Sequence, residues 1–256
     1  MSSDLTTSVR DAVGIVRMQR PDSLNALSSE FMSRLVAALR ACDEAPEVRC
    51  LLLAGQERAF ATGTDIAEVA EATTAELLTR DPLARWDEIA ALRKPLVACV
   101  SGFALGSGFE LALACDLIIA AESARFALPQ TGLGIIPGAG GTQRLARRVG
   151  PAVTLDLVLT GRALGAREAL ALGIVSRVVP VENCEAEALA VCAEIARRAP
   201  LAVRLAKEAV RRAADVPLGA GLALERHAYY ALFATDDQKE GMRAFLERRP
   251  PVFVGR

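Results

Sequence analysis

Residues 94–121 read KPLVACVSGFALGSGFELALACDLIIAA, and the reading of this stretch decides the fold. KPLVACVSG has the length and apolar density of a buried strand. A glycine-punctuated turn follows, then a helix beginning near Glu110, then a second apolar strand, LIIAA. Strand, turn, helix and strand in that order imply an α/β core with helices packed on sheet. Within it, Glu110 opens a helix whose continuation, LALAC, has almost no polar face. A carboxylate in a first helical turn gains about 0.3–1 kcal/mol from the helix dipole, so capping is the simple explanation. A helix apolar on every side is buried, however, and a buried carboxylate is costly unless it is paired or used. Burial also raises its pKa towards the range useful to a general base.

The pattern extends in both directions. SVRDAVGIVRMQRP alternates apolar and polar residues, as a half-exposed strand or hairpin does, and stops at Pro21. SSEFMSRLVAALRACDEA carries a serine cap and helical spacing at Phe31, Leu35, Val36 and Leu39. VRCLLLAG reads as a buried strand, FATGTDIAEV as a loop leading into a helix, and Trp86 to Leu92 as a charged helical stretch. ARFALP reads as a further strand. From about residue 142 the segments are helical in pattern, apart from a short strand at IVSRVV, and the last helix halts at a double proline. These C-terminal helices are amphipathic and need a surface to cover, their own core or a neighbouring subunit.

The 256 residues are 52% hydrophobic with a formal net charge of −1, enough for one large or two small domains. A near-neutral balance argues against nucleic acid as main partner, since phosphate binding uses a clustered positive excess. The polar N-terminus lacks the order of a secretory signal, and no apolar run reaches bilayer length, so a soluble protein without membrane partners is expected. Six cysteines show no Cys-x-x-Cys spacing and read as reduced core residues of an intracellular protein. One histidine, His227, excludes a histidine-rich metal site and most routes to a Ser-His-Asp triad.

Three glycine-rich turns stand out: ATGTD at 61–65, GFALGSGFE at 102–110 and IIPGAGGTQR at 135–144. A turn of this kind feeding a helix exposes backbone N–H groups suited to a developing negative charge, though glycines also simply permit tight turns. Neither GFALGSG nor GAGGTQR fits a dinucleotide fingerprint: the first has the wrong spacing, and the second would need Asp156, inside an apolar helix, as ribose partner. Gly-x-Ser-x-Gly is absent around Ser107. Asp116 reads as a structural residue bonding nearby backbone, and Asp65 as a helix N-cap.

Taken together, FATGTDI, the 94–121 stretch, ARFALPQTGLGIIPGAGGTQRL, LTGRALGAREALALGIVSRVV and ATDDQKEGMRAFLERRPPVF resemble the crotonase superfamily, and within it the enoyl-CoA hydratases. The similarity runs from RPDSLNAL at 20–27 to the C-terminus. The resemblance implies an α/β spiral of repeated ββα units over residues 1–195. A helical trimerisation region would then cover 196–256, in a homotrimer or dimer of trimers. It implies an acyl-CoA thioester substrate in the cytoplasm, with coenzyme A as part of that substrate and no separate cofactor or metal. The oxyanion hole would use the backbone N–H groups of Thr62 and Ser107, where the family more often has Ala and Gly. Thr62, Gly63, Thr64, Asp65 and Ser107 would line the CoA site. Of the two glutamates that act on water in the hydratases, Glu110 matches one, while the position of the other holds Gln130. Glutamine holds a water but cannot exchange a proton at neutral pH. The overall resemblance makes hydration the expected reaction, while Gln130 makes a double-bond isomerase, or another enolate reaction using Glu110 alone, the alternative. An inactive acyl-CoA binder is the third reading.

Overall fold

The computed structural model describes residues 4–256. Strands β1 (Leu5–Arg10) and β2 (Val13–Met18) form the expected hairpin, joined by Asp11 and Ala12 in left-handed conformation. Helix α1 (Ser29–Glu44) starts where Ser28 accepts the Phe31 N–H, and buries Phe31, Leu35, Val36 and Leu39. Next come β3 (Cys50–Ala54), β4 (Ala59–Ala61), α2 (Ile66–Val69), α3 (Thr74–Arg80) and α4 (Ala84–Ala90). The decisive stretch supplies β5 (Leu96–Val100), β6 (Phe103–Leu105), α5 (Ser107–Ala114) and β7 (Leu117–Ala121). Then follow β8 (Arg125–Ala127), a 3-10 turn Pro129–Leu133, α6 (Gly141–Val149), α7 (Pro151–Thr160), β9 (Leu164–Gly165), α8 (Ala166–Ala171) and β10 (Arg177–Val179). The chain ends with α9 (Cys184–Ala196), α10 (Pro200–Arg212), α11 (Leu218–Leu232) and α12 (Asp236–Leu246).

Two sheets organise these elements. One has the order β1-β2-β3-β5-β7-β10 and is parallel from β2 onward; the other has the order β4-β6-β8-β9, with β4, β6 and β8 parallel. Each winding of the chain places one strand in each sheet and then a helix: β3, β4 and α2; β5, β6 and α5. This is the expected spiral of ββα units. Successive windings therefore stack the turn after β4 beside the turn after β6, which brings distant glycine-rich segments together.

The wholly apolar strands β3, β5 and β7 are buried on both faces, as parallel strands covered by helices must be. One core layer lies around Phe31, Phe60, Phe109 and Phe126; a second, on the opposite face of the larger sheet, is covered by α9. Buried Asp43 accepts the N–H groups of Arg93 (3.0 Å) and Lys94 (2.7 Å), fixing the chain as it enters β5. Asp116 fixes the other end of that unit: it accepts Leu96 N–H and pairs with Lys207 and Arg211 of α10, each at 2.9 Å. It is the structural residue expected. Arginines also close the C-terminus of α5, where free carbonyls carry the negative end of the dipole. Arg148 donates to Leu113 and Cys115, and Arg211 to Ala114.

Three short strands depart from the sequence reading, among them β9, which lies in the region read as helical. FATGTDIAEV opens as β4 rather than a loop, and β6 lies inside the glycine-punctuated turn. Among the described residues no side chain of α10 or α11 is buried, and Leu218, Tyr229, Tyr230, Phe245 and Leu246 are each more than half exposed. No helix of the described residues is long and apolar enough to cross a membrane.

Candidate active site

Glu110 is fully buried at the second turn's exit, one helical turn into α5. Its carboxylate caps a different helix from its own. Oε1 accepts the N–H groups of Ala139 (2.8 Å) and Gly141 (2.7 Å), where the third glycine-rich turn enters α6. The turn wraps the carboxylate closely: a Cβ on Gly141 would lie 2.9 Å from Oε1. Arg144, on the same helix and anchored to the Ala139 carbonyl at 2.7 Å, adds positive charge nearby. Burial is nevertheless the largest influence and raises the Glu110 pKa above the ordinary carboxylate value. The N–H groups of Gly141 and Ala139, the Arg144 charge and the Ser107 hydroxyl pull the other way. The outcome is a carboxylate held in one orientation yet easier to protonate than a surface one.

The second oxygen faces Gln130. Its Nε2 donates to Glu110 Oε2 at 3.1 Å, so the two positions separated by twenty residues do meet. Gln130 is itself buried, in the 3-10 turn after β8, and Thr131 beside it ties that turn to α7 through the Val158 carbonyl. The amide oxygen of Gln130 finds no donor among the described residues. A buried oxygen without a partner costs about 1–3 kcal/mol, and here it belongs to the side chain that touches buried Glu110.

The first two turns meet at Gly63 and Ser107. Gly63 has φ of +101°, and a Cβ there would fall 2.9 Å from the Leu105 carbonyl and 3.3 Å from Ser107 N, so only glycine allows the approach. Thr64 and Ser107 hydrogen-bond through their hydroxyls at 2.8 Å. The hydroxyl of Ser107 is thus satisfied by Thr64.

Thr62 turns elsewhere, its hydroxyl donating to the Leu24 carbonyl at 3.3 Å. Asp65 caps α2 by accepting Ala67 N–H, as expected. Leu27 N–H donates to Gly63 O at 2.7 Å, and Asp65 N–H to Leu27 O at 3.4 Å, an isolated parallel bridge centred on Thr64. In such a bridge the central residue's own N–H and C=O face the opposite side. Thr64 N–H therefore points away from Leu27.

Asn25 was not singled out by sequence reasoning. It is fully buried in left-handed conformation and donates to the carbonyls of Ala59 (3.1 Å) and Phe60 (3.0 Å) while accepting Arg20 N–H (2.8 Å). It pins the 20–27 loop under β4 and so sets the height of the first turn. Arg144 was missed too, because its closeness to Glu110 depends on how the third turn folds back.

The sequence model of the enoyl-CoA hydratase/isomerase family matches residues 8–256. The chain belongs to that family. Among curated relatives of the enoyl-CoA hydratase/isomerase type, it is 46% identical over 244 residues to a probable enoyl-CoA hydratase of Mycobacterium bovis, covering 95% of each chain. It is 42% identical over 254 residues to the 2,3-dehydroadipyl-CoA hydratase of Escherichia coli, covering 99% of this chain and 100% of the relative. A crystal structure of an enoyl-CoA hydratase subunit I from Geobacillus kaustophilus superposes with a TM-score of 0.97 at 46% identity, over 99% of each chain. An acyl-CoA thioester substrate fits this family.

Proposed function

We propose that the protein adds water to a 2-enoyl-CoA, or removes it from the 3-hydroxyacyl-CoA, with Glu110 as the single proton-carrying side chain. The observation that carries this reading is the buried pair of Glu110 and Gln130, 3.1 Å apart, with the Gln130 oxygen unpartnered. Oε1 of Glu110 is already occupied by two N–H groups, so Oε2 is the atom that exchanges protons. A water between Oε2 and the Gln130 oxygen would donate one hydrogen to each, directing a lone pair at substrate C3. As the C3–O bond forms, Glu110 takes a proton from that water and charge moves to the thioester oxygen. Glu110 then returns the proton to C2 as the enolate collapses.

For the enolate oxygen we propose two backbone donors: Ser107 N–H, at the start of α5, and Thr64 N–H in place of the expected Thr62 N–H. What supports the shift is the contact of Thr64 with Ser107 and the outward turn of the Thr62 side chain. Removing one such donor costs about 10²–10³ in rate. Residues 62–65 are proposed to line the coenzyme A chain. The exposed apolar residues of α10–α12 are proposed to pack between subunits, in keeping with an assembly role for 196–256.

One observation favours a second reading. With glutamine at 130, only one group in the pair can carry a proton, and moving a proton between C2 and C4 of a 3-enoyl-CoA needs only one. Incubating the purified protein with a 2-enoyl-CoA and a 3-enoyl-CoA separately distinguishes the two. Hydration consumes the absorbance of the conjugated thioester, whereas isomerisation creates it. Loss of absorbance from the 2-enoyl substrate is expected; gain from the 3-enoyl substrate alone would replace hydratase by isomerase.

A further inference from the structure

The core layer beneath α9 holds four cysteines, Cys50, Cys99, Cys184 and Cys192, and two of them meet at a cavity. Cys99, near the end of β5, donates its S–H to Cys184 with the sulfurs 3.4 Å apart. Both line a cavity of about 560 Å3 together with Arg17, Gln19, Ser101 and Glu185. Cys184 is the first residue of the 13-residue α9, where the helix dipole favours a thiolate; its own N–H is taken by the Val181 carbonyl. The Cys99 S–H and the Ser101 hydroxyl also stabilise that thiolate, and they hold the Cys184 thiol below its ordinary pKa against burial and the Glu185 charge. Glu185 itself is drawn into an ion pair with Arg17. The Cys184 contact and burial push Cys99 the opposite way, leaving it the protonated partner.

We propose that Cys99 and Cys184 form a peroxide-oxidisable dithiol, a modification site separate from the Glu110 pocket. The Cys184 thiolate attacks the outer oxygen of a hydroperoxide entering the cavity, the O–O bond breaks, the transferred OH stays on sulfur, and the leaving alkoxide or hydroxide takes up the proton Cys184 released on ionising. Cys184 becomes a sulfenic acid. The Cys99 sulfur then attacks the Cys184 sulfur, the S–O bond breaks, and hydroxide leaves as water with the Cys99 proton. Two thiols lose two electrons to one hydroperoxide. Closing the bond requires the sulfurs to approach by on the order of 1.4 Å, within reach of side-chain rotation. Cys50 and Cys192 supply an internal control: they lie in the same core layer and are fully buried, and neither lines the cavity that Cys99 and Cys184 share.

The test exposes the folded full-length chain to hydrogen peroxide, blocks remaining thiols after denaturation, and maps the peptides by mass spectrometry. A Cys99–Cys184 disulfide reversible by dithiothreitol is expected, with Cys50 and Cys192 still alkylated. Retention of all six thiols would overturn the proposal, as would oxidation of Cys50 and Cys192 at the same rate. In Cys99→Ser, Cys184 should stop at the sulfenic acid and be captured by dimedone; a folded variant with no adduct there would refute Cys184 as the nucleophile.

Discussion

Gln130→Glu is the substitution whose consequence can be worked furthest from the structure. Gln130 Nε2 lies 3.1 Å from Glu110 Oε2, and a glutamate of the same length would bring a second carboxylate to that distance. Two full negative charges so placed repel by about 5 kcal/mol at an effective dielectric constant near 20. They cannot both be ionised at neutral pH, so the pair shares one proton. That proton replaces the Gln130 N–H in the contact with Glu110 and supplies the second proton carrier that the native pocket lacks. One carboxylate can then take a proton from water while the other delivers one to C2. General acid–base catalysis by a placed group contributes typically about 10²–10⁴, corresponding to about 3–5 kcal/mol of barrier. Hydration of a 2-enoyl-CoA by Gln130→Glu should rise within that range, followed by loss of the conjugated-thioester absorbance. The native pH–rate profile should show one ionisation and the variant's should become bell-shaped. An unchanged hydration rate in a folded variant that still binds the substrate would refute the reasoning that a missing carboxylate limits the native enzyme.

Other expectations follow from the same geometry. The raised pKa of Glu110 sets the acid limb of native activity, so turnover should fall as pH drops through a value above the ordinary carboxylate range. The same shift bears on stability, because the folded state binds the proton more tightly than the unfolded one. Glu110 therefore costs stability as pH rises from the ordinary carboxylate value through the raised one. Glu110→Gln should accordingly raise Tm at neutral pH, with the gain vanishing in acid, as thermal melts across pH would show. Gly141→Ala places a methyl 2.9 Å from Glu110 Oε1 and should displace the carboxylate. A drop in kcat of about 10² with the fold retained is expected in steady-state kinetics. Asp116→Ala leaves Lys207, Arg211 and the Leu96 N–H without their shared partner and should cost about 3 kcal/mol in denaturant unfolding.

The long elements were readable because their signals are local. β3, β5 and β7 are uninterrupted apolar runs, and α1 carries its serine cap and its helical spacing in adjacent residues. β4, β6 and β9 span only two or three residues each, too few for any period to register, and exist because the spiral stacks them. The burial of Glu110 could be read from LALAC. Its N–H partners could not, since Ala139 and Gly141 lie 29 and 31 residues away across a turn of unspecified shape. The proposed first-turn donor, Thr64 in place of Thr62, depends on the same kind of information: the two flank Gly63 and differ in which side of the turn each presents. Asn25 gave no signal, because LNAL does not announce a left-handed residue. The capping box of α3, formed by Thr73 and Glu76, went unread although TTAE holds its four-residue pattern.

The central claim is that Glu110 alone carries protons in this pocket. The direct test measures turnover of a 2-enoyl-CoA and binding of an unreactive acyl-CoA by Glu110→Gln, beside the native protein. Gln at 110 can keep the N–H groups of Ala139 and Gly141 satisfied, and the Gln130 amide can turn its oxygen towards the new amide. The fold and the affinity should thus survive. Turnover lost by at least about 10³-fold with binding retained is the predicted result. Native-like turnover in that variant would contradict the account and reduce Glu110 to a cap on α6.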